Sequence, residues 1–194
     1  MKTVIRSSLF LFLFFLSAFA KPELINEKII MESANIKIND IVTELYTKTN
    51  VSIVVHLKEK LPDGNILNYE KNISSTLQKP YVLIVFAGKE QKVDILVSDD
   101  LKNIIDKNKI LNSYVIPILG AEDKNSLEAR YSAAMLNGIA EIADEIAESK
   151  GIKLNSSIGS ESKNFIQGLR VVFYGIIFGA IAIYAYMAYK RRRA

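Results

Sequence analysis

Two adjacent carboxylates, Asp99 and Asp100, have the residue type and the spacing that metal chemistry would need. They follow a predicted strand and begin a predicted helix, so their side chains could bind a hard cation such as Ca²⁺. The same carboxylates could instead cap the helix, because acidic groups interact favourably with a helix N-terminus. Two carboxylates supply only part of a calcium shell, and the sequence has no D-x-D-x-D-G loop. The sequence therefore favours the cap and leaves a calcium site as the alternative.

The single histidine, His56, lies at the end of a predicted strand and is the other candidate for acid–base chemistry. No G-x-S-x-G, Walker, H-E-x-x-H or G-x-G-x-x-G motif accompanies it. The chain also has no cysteine, which excludes disulfides, thiol catalysis and thiolate metal sites. We therefore predict a structural or surface role for His56, assign no catalytic residue and favour a protein that is not an enzyme.

Two further motifs indicate modification and association. Asn72 begins an N-x-S sequon, and Glu70 two positions earlier matches the preference of bacterial N-glycosylation systems, so glycosylation of Asn72 is a hypothesis. Gly175 and Gly179 form a G-x-x-x-G motif in an apolar segment, a spacing that lets two membrane helices approach closely. Glycine is common in such segments, so chance explains the pair equally well.

The N-terminal residues 1–20 have the features of a secretory signal peptide. Lys2 and Arg6 precede an apolar run, and an Ala-Phe-Ala cleavage motif ends at Ala20. The apolar run is short for a membrane span, so we predict cleavage after Ala20. An uncleaved signal would leave the domain on the same side of the membrane.

The C-terminal residues 170–189 are predicted to be a transmembrane helix. Residues 171–189 carry no charge and as a helix would reach about 28 Å, close to the thickness of a bilayer core. The basic tail that follows, residues 190–194, is expected in the cytoplasm by the positive-inside rule. This topology places a domain of residues 21–150 in the periplasm, anchored by a single pass in the bacterial inner membrane.

The net charge of +4 is unevenly distributed along the chain. Residues 21–150 contain 16 Lys and Arg against 20 Asp and Glu, which gives this segment a charge of −4. An acidic domain has no basic stripe for a phosphate backbone, so we exclude nucleic acid as a partner. Residues 151–169 are rich in Ser, Asn and Gly, and we predict a flexible tether there.

Helical and strand patterns alternate through the predicted domain. Periodicity predicts helices over residues 23–31, 38–49, 66–77, 99–105, 110–119 (helical or irregular) and 126–150. Strands are predicted over residues 51–57, 81–87 and 92–98, the last two joined as a hairpin. Asn125 and Glu128 form a capping-box pattern before the last helix. The segment 81–87 is apolar on both faces and needs cover on both, so we predict an α/β three-layer sandwich with a small mixed sheet.

The order of these elements, together with Pro117 and Gly138, resembles the TPM domain family over residues 36–150. Domains of this family lie outside the cytoplasm, typically after a signal peptide and often before a membrane helix. The resemblance implies either calcium-binding, acid-phosphatase-like activity or a role as an accessory factor for membrane complexes. The family's Gly-x-Gly-x-Glu segment corresponds here to residues 98–102, which contain no glycine.

We therefore predict a membrane-tethered, periplasmic interaction domain that binds envelope or membrane proteins and assists the assembly or maintenance of an envelope complex. No cofactor is firmly predicted. The alternative is a Ca²⁺-dependent, acid-phosphatase-like hydrolase that uses Asp99 and Asp100. Pairing of membrane helices through Gly175 and Gly179 would make the chain a homodimer.

Overall fold

One four-stranded sheet organises the computed structural model, which describes residues 21–122 and 124–156. Its strands are β1 (Glu23–Asn26), β2 (Ser52–Lys58), β3 (Tyr81–Ala87) and β4 (Lys92–Val97). The α-helices are α1 (Glu32–Thr49), α2 (Ile66–Ser74), α3 (Lys107–Ile110), α4 (Ile116–Leu119) and α5 (Leu127–Ser149). A 3₁₀ turn covers Asp99–Leu101, and a π-helical turn covers Leu111–Val115.

The sheet is mixed, with the strand order β1-β2-β3-β4. β1, β2 and β3 are parallel, whereas β4 pairs antiparallel to β3 through a short hairpin. The mixed sheet and the hairpin predicted from the sequence are thus confirmed. Because β4 runs in the opposite direction, its carboxyl end lies beside the amino end of β3, where Val97 pairs with Val82.

Helices cover both faces of the sheet, which confirms the three layers. Ile84 and Phe86 of β3 face the larger core, which α1 and α5 close. Leu83 and Val85 of the same strand face a smaller core beneath α2. Every residue of β3 is buried, as the two-sided apolar pattern predicts.

The first element differs from its prediction, because part of residues 23–31 forms strand β1 instead of a helix. Leu24 pairs with Val55 of β2 in a parallel ladder, and a run of so few apolar residues fits a helix or a strand equally well. The Oδ1 atom of Asn26 then accepts hydrogen bonds from the backbone N–H groups of Ile29 and Ile30. This turn ends the strand and leads into α1, which begins at Glu32, six residues before its predicted start.

Other boundaries also differ from the sequence predictions, whereas the helical interpretation of residues 110–119 is confirmed. The predicted helix over residues 99–105 is reduced to a single 3₁₀ turn. The N-cap of α5 is Ser126, whose Oγ accepts a hydrogen bond from the N–H of Ala129, one position after the predicted cap. Residues 110–119 are helical, and Pro117 stands in the first turn of α4, where its missing N–H costs no hydrogen bond.

The packed domain extends to Ser156, beyond the predicted boundary at residue 150. Leu154 is buried in the larger core, and the Glu44 carboxylate accepts hydrogen bonds from the backbone N–H groups of Asn155 and Ser156. Burial alone would raise the pKa of Glu44, but the hydrogen bonds that it accepts lower this pKa to about 2. Residues 154–156 therefore pack against the domain, and the rest of the predicted tether (residues 157–169) lies outside the described residues.

Within residues 21–122 and 124–156, no helix combines the length and the apolar character that crossing a bilayer requires. The predicted signal peptide (residues 1–20), the membrane helix (residues 170–189) and the tail (residues 190–194) lie outside the described residues. The Gly175 and Gly179 pair lies outside them as well.

Candidate functional site

Asp99 and Asp100 follow β4 at the end of the sheet opposite to the carboxyl ends of the three parallel strands. Asp99 is largely exposed; its two carboxylate oxygens lie 2.8 Å from Lys102 Nζ and 2.7 Å from Lys79 Nζ. These hydrogen bonds, from Lys102 and then Lys79, lower the pKa of Asp99 to about 2. Ser98 is the N-cap residue of the turn, and no side chain caps it, so the predicted capping bond is not formed.

The surroundings of this pair do not fit a calcium ion. Both oxygens of Asp99 already accept from ammonium groups, which leaves Asp100 as the member of the pair outside these ion pairs. No cluster of three or more His, Cys, Asp or Glu side chains suitable for a metal occurs in residues 21–122 and 124–156. A Ca²⁺ ion here would have to displace two lysines and take most of its ligands from water.

His56 lies in the middle of the sheet face that α2 covers and is only 3% exposed. Its Nδ1 atom is 2.9 Å from the hydroxyl of Tyr69 on α2. Burial lowers the pKa of His56, so the imidazole is held in its neutral form. The location is that of a buried structural histidine and not of a surface one.

The buried carboxyl group of Glu70 on α2 is a feature that the sequence analysis missed. Glu70 is 3% exposed, and burial together with the charge of Asp94 on β4 raises its pKa to about 7, although Lys107 opposes the shift. The Nζ atom of Lys107 lies 3.2 Å from Asp94. The sequence does indicate that Glu70 is buried, because at helical spacing it falls between Ile66 and Ile73 on the apolar stripe of α2.

Asn72, the predicted glycosylation site, is exposed on the outer side of α2. Its position leaves the side chain accessible, and its modification stays a prediction.

A groove of about 590 Å³ lies beside the first half of β4, the strand that forms one edge of the described sheet. Its apolar walls come from two strands and three helices: Ile66, Phe86, Val93, Ile116, Leu119, Leu127 and Tyr131. The rings of Phe86 and Tyr131 pack edge to face with centroids 4.7 Å apart, which fixes the floor of the groove. Ile116 and Leu127 at its rim are 47% and 55% exposed, so this apolar surface is open to solvent.

Among the charged side chains in the groove, the carboxylate forms an ion pair, whereas the two cations bind backbone carbonyl groups. Asp94 is paired with Lys107, as described above. Lys92 donates from Nζ to the carbonyl oxygen of Gly64 at 3.1 Å, and Arg130 donates from Nη1 to the carbonyl oxygen of Ala121. Among the described residues, neither cation forms an ion pair with a carboxylate, and the buried Nε atom of Arg130 has no hydrogen-bond partner. The groove therefore combines apolar walls with two positive charges that no carboxylate of the described residues pairs with.

Comparison with known proteins supports the family assignment. The model of the TPM domain matches residues 25–145, well over half of the chain, so the chain belongs to the TPM domain family. The match also includes the second half of β1, which the predicted resemblance over residues 36–150 left out. None of the curated proteins compared matches the sequence.

Two solved structures are similar to this chain. The solution NMR structure of the N-terminal domain of a protein from P. gingivalis has a TM-score of 0.51 and 11% identity, with 65% of this chain and 82% of that chain covered. The NMR structure of the BA42 protein from the psychrophilic bacterium Bizionia argentinensis has a TM-score of 0.46 and 16% identity, with 68% and 95% covered. At this identity the first likeness establishes the fold alone.

Proposed function

We propose that this TPM domain is a non-catalytic interaction domain that binds envelope or membrane proteins and assists the assembly or maintenance of an envelope complex. The groove along β4 is the observation that carries the proposal. Concave apolar surfaces with a few polar groups are the usual form of binding sites, and exposed apolar patches often mark contacts with other proteins. The rim residues Ile116 and Leu127 give the domain such a patch.

The arrangement around Asp99 supports a binding role over the phosphatase alternative. A cation-dependent phosphatase needs carboxylates that are available to a metal ion, whereas Lys79 and Lys102 occupy both oxygens of this side chain. The buried His56 has no access to a substrate in the surrounding solvent.

Attachment to the inner membrane is part of the proposal and rests on the sequence. A cleaved signal peptide (residues 1–20) and a membrane helix (residues 170–189) would hold the domain on the periplasmic face, with residues 190–194 in the cytoplasm. A domain confined near a bilayer meets membrane-bound partners at a raised effective concentration, so a groove of modest affinity suffices.

Site-specific photo-cross-linking of the full-length chain in its native membranes tests the proposal. A photoreactive residue at Ile116 or Leu127 is expected to give discrete adducts with other proteins. Ile36 on α1 is the matched control, because it is equally exposed at 55% but does not line the groove. Equal adducts from Ile36, or none from either groove position, would contradict the proposal.

A further inference from the structure

We propose that the groove holds an extended peptide segment that carries an acidic side chain and adds to β4 as a new strand of the sheet. This inference rests on the proposed interaction function, because it specifies the chemistry of the partner at the same groove.

β4 forms one edge of the described sheet. Within the described part of the chain, β3 is the sole neighbour of this strand, so the backbone groups on its outer side are outside the ladder. One of them, the N–H of Ile95, donates to Oδ1 of Asp94 at 2.8 Å, and an added strand would replace this hydrogen bond. Such an edge is a template for an added strand, which gains backbone hydrogen bonds whatever its sequence. The six residues of β4 span about 20 Å, enough for a peptide segment of similar length.

The apolar walls of the groove lie where alternate side chains of an added strand would point. Val93 of β4 faces the same side of the sheet as its pairing partner Phe86, and both pack toward α5. An added strand directs alternate side chains to this side, where the exposed Ile116 and Leu127 form an unfilled apolar surface. Every second side chain of the peptide is therefore expected to be apolar.

The positive charges of the groove are complementary to an acidic side chain on the peptide. Arg130 lies on α5 at the same side of the groove, and its guanidinium reaches one backbone carbonyl while its Nε atom has no partner in the described chain. A guanidinium can bind a carboxylate through two parallel hydrogen bonds, so an aspartate or glutamate of the peptide would satisfy it. Lys92 adds a second positive charge, while the negative charge of Asp94 is compensated by Lys107.

A random peptide library displayed on phage, panned against the purified full-length chain, tests this inference. We expect enriched sequences that alternate apolar and other residues and carry an aspartate or glutamate at a fixed position. The synthetic form of such a peptide should bind an Arg130→Gln variant about tenfold more weakly. Lys60→Gln, which removes an exposed cation outside the groove, is the matched control and should leave binding unchanged.

Methylated backbone amides separate strand addition from other modes of binding. N-methylation of every second amide should abolish binding when it falls on the amides that face β4, and the opposite set should have little effect. The inference would be overturned if both sets of N-methylated peptides bound equally well, or if the enriched peptides bound the Arg130→Gln variant as tightly as the wild type. A melting curve of the Arg130→Gln variant verifies that it is folded.

Peptide enrichment and photo-cross-linking together distinguish a failure of this inference from a failure of the proposed function. If no peptide is enriched relative to an Ile116→Glu/Leu127→Glu variant, but photo-cross-links still form from these two positions, the partner is not an extended peptide and the interaction function stands. If the cross-links are absent too, both proposals are wrong.

Discussion

The Nδ1 atom of His56 on β2 lies 2.9 Å from the hydroxyl group of Tyr69 on α2. His56 is buried and Tyr69 is half-buried, and burial lowers the pKa of the histidine and raises that of the tyrosine. The bond joins the sheet to the helix that covers its second face. In that small core α2 otherwise contributes mainly apolar contacts, from Ile66 and Ile73 among others.

Replacing Tyr69 by phenylalanine should destabilise the domain by about 1–2 kcal/mol, because a buried ring nitrogen loses its hydrogen-bond partner while the ring packing is kept. Urea unfolding of the wild type and the Tyr69→Phe variant measures this difference. A double-mutant cycle with His56→Leu isolates the pair, since the second substitution removes the group left unpaired. An additive cycle would show that the hydrogen bond contributes nothing.

The contribution of Glu70 to the stability of the domain should fall as the pH rises from acidic to neutral, whereas the lowered pKa of His56 acts in the opposite direction in both the wild type and Glu70→Gln. Its folded-state pKa of about 7 is above the value of 4.5 for an exposed glutamate, through burial and then the charge of Asp94. The stabilisation is therefore complete below about pH 4.5 and lost as the pH rises through 7, by about 3 kcal/mol in total. Urea unfolding across this range should show the loss in the wild type and a flatter profile in Glu70→Gln.

The exposed Glu148 supplies the control for this pH profile, since Glu148→Gln removes a carboxylate from the end of α5 without changing a buried group. An unchanged slope in Glu70→Gln would mean that another group causes the pH dependence. Asp94 raises the pKa of Glu70 further and Lys107 lowers it, so Lys107→Met should steepen the dependence of stability on pH.

Gly138 should not tolerate a side chain. A Cβ atom at this position of α5 would lie 2.5 Å from Cγ2 of Val115 in the π-helical turn, which is too close for any real contact. We expect Gly138→Ala to destabilise the domain by about 1–3 kcal/mol, despite the higher helix propensity of alanine. Thermal unfolding measures the loss.

Val115→Ala in the same chain is the matched test of this cause, because it removes the clashing methyl group. The double variant should lose less stability than the sum of the two single losses, because the added Cβ atom no longer meets the methyl group of Val115. A stabilised Gly138→Ala variant would show that the π-helical turn moves away easily.

Calcium should not raise the melting temperature of this protein. Both oxygens of Asp99 are held by lysines, so millimolar Ca²⁺ finds too few free ligands there. Melting curves of the full-length chain with and without Ca²⁺, beside an Asp99→Asn/Asp100→Asn variant, measure the effect. A calcium-dependent rise that the variant loses, accompanied by hydrolysis of p-nitrophenyl phosphate, would establish the phosphatase alternative.

The elements buried on both sides could be predicted from the sequence, and the marginal ones could not. The strand over residues 81–87 has the observed ends, because a run that is apolar at every position leaves few alternatives. The start of α1 gave no local signal: its N-cap is Met31, which has no capping side chain, and the backbone N–H of Met31 donates instead to Ser132 of a distant helix. β1 is likewise a strand because β2 pairs with it.

The candidate groove depends on packing that local patterns do not encode. Its walls come from segments as far apart as Phe86 and Tyr131, and its shape follows from the course of the chain through the π-helical turn. Glu70 is different, because its place on an apolar helical stripe is visible in the sequence. A carboxyl group at such a position is expected to be buried, and burial raises its pKa.

The last described residues, Asn155 and Ser156, are bound to the Glu44 carboxylate on α1. Lys48 also binds this segment, donating to the carbonyl oxygen of Lys153, so the chain is fastened beside the final turns of α1 and α5. Arg130, in contrast, lies in the first turn of α5, a helix of 23 residues and about 34 Å. The last described residues and Arg130 of the groove thus lie near opposite ends of α5, so a partner seated in the groove does not cover Asn155 or Ser156.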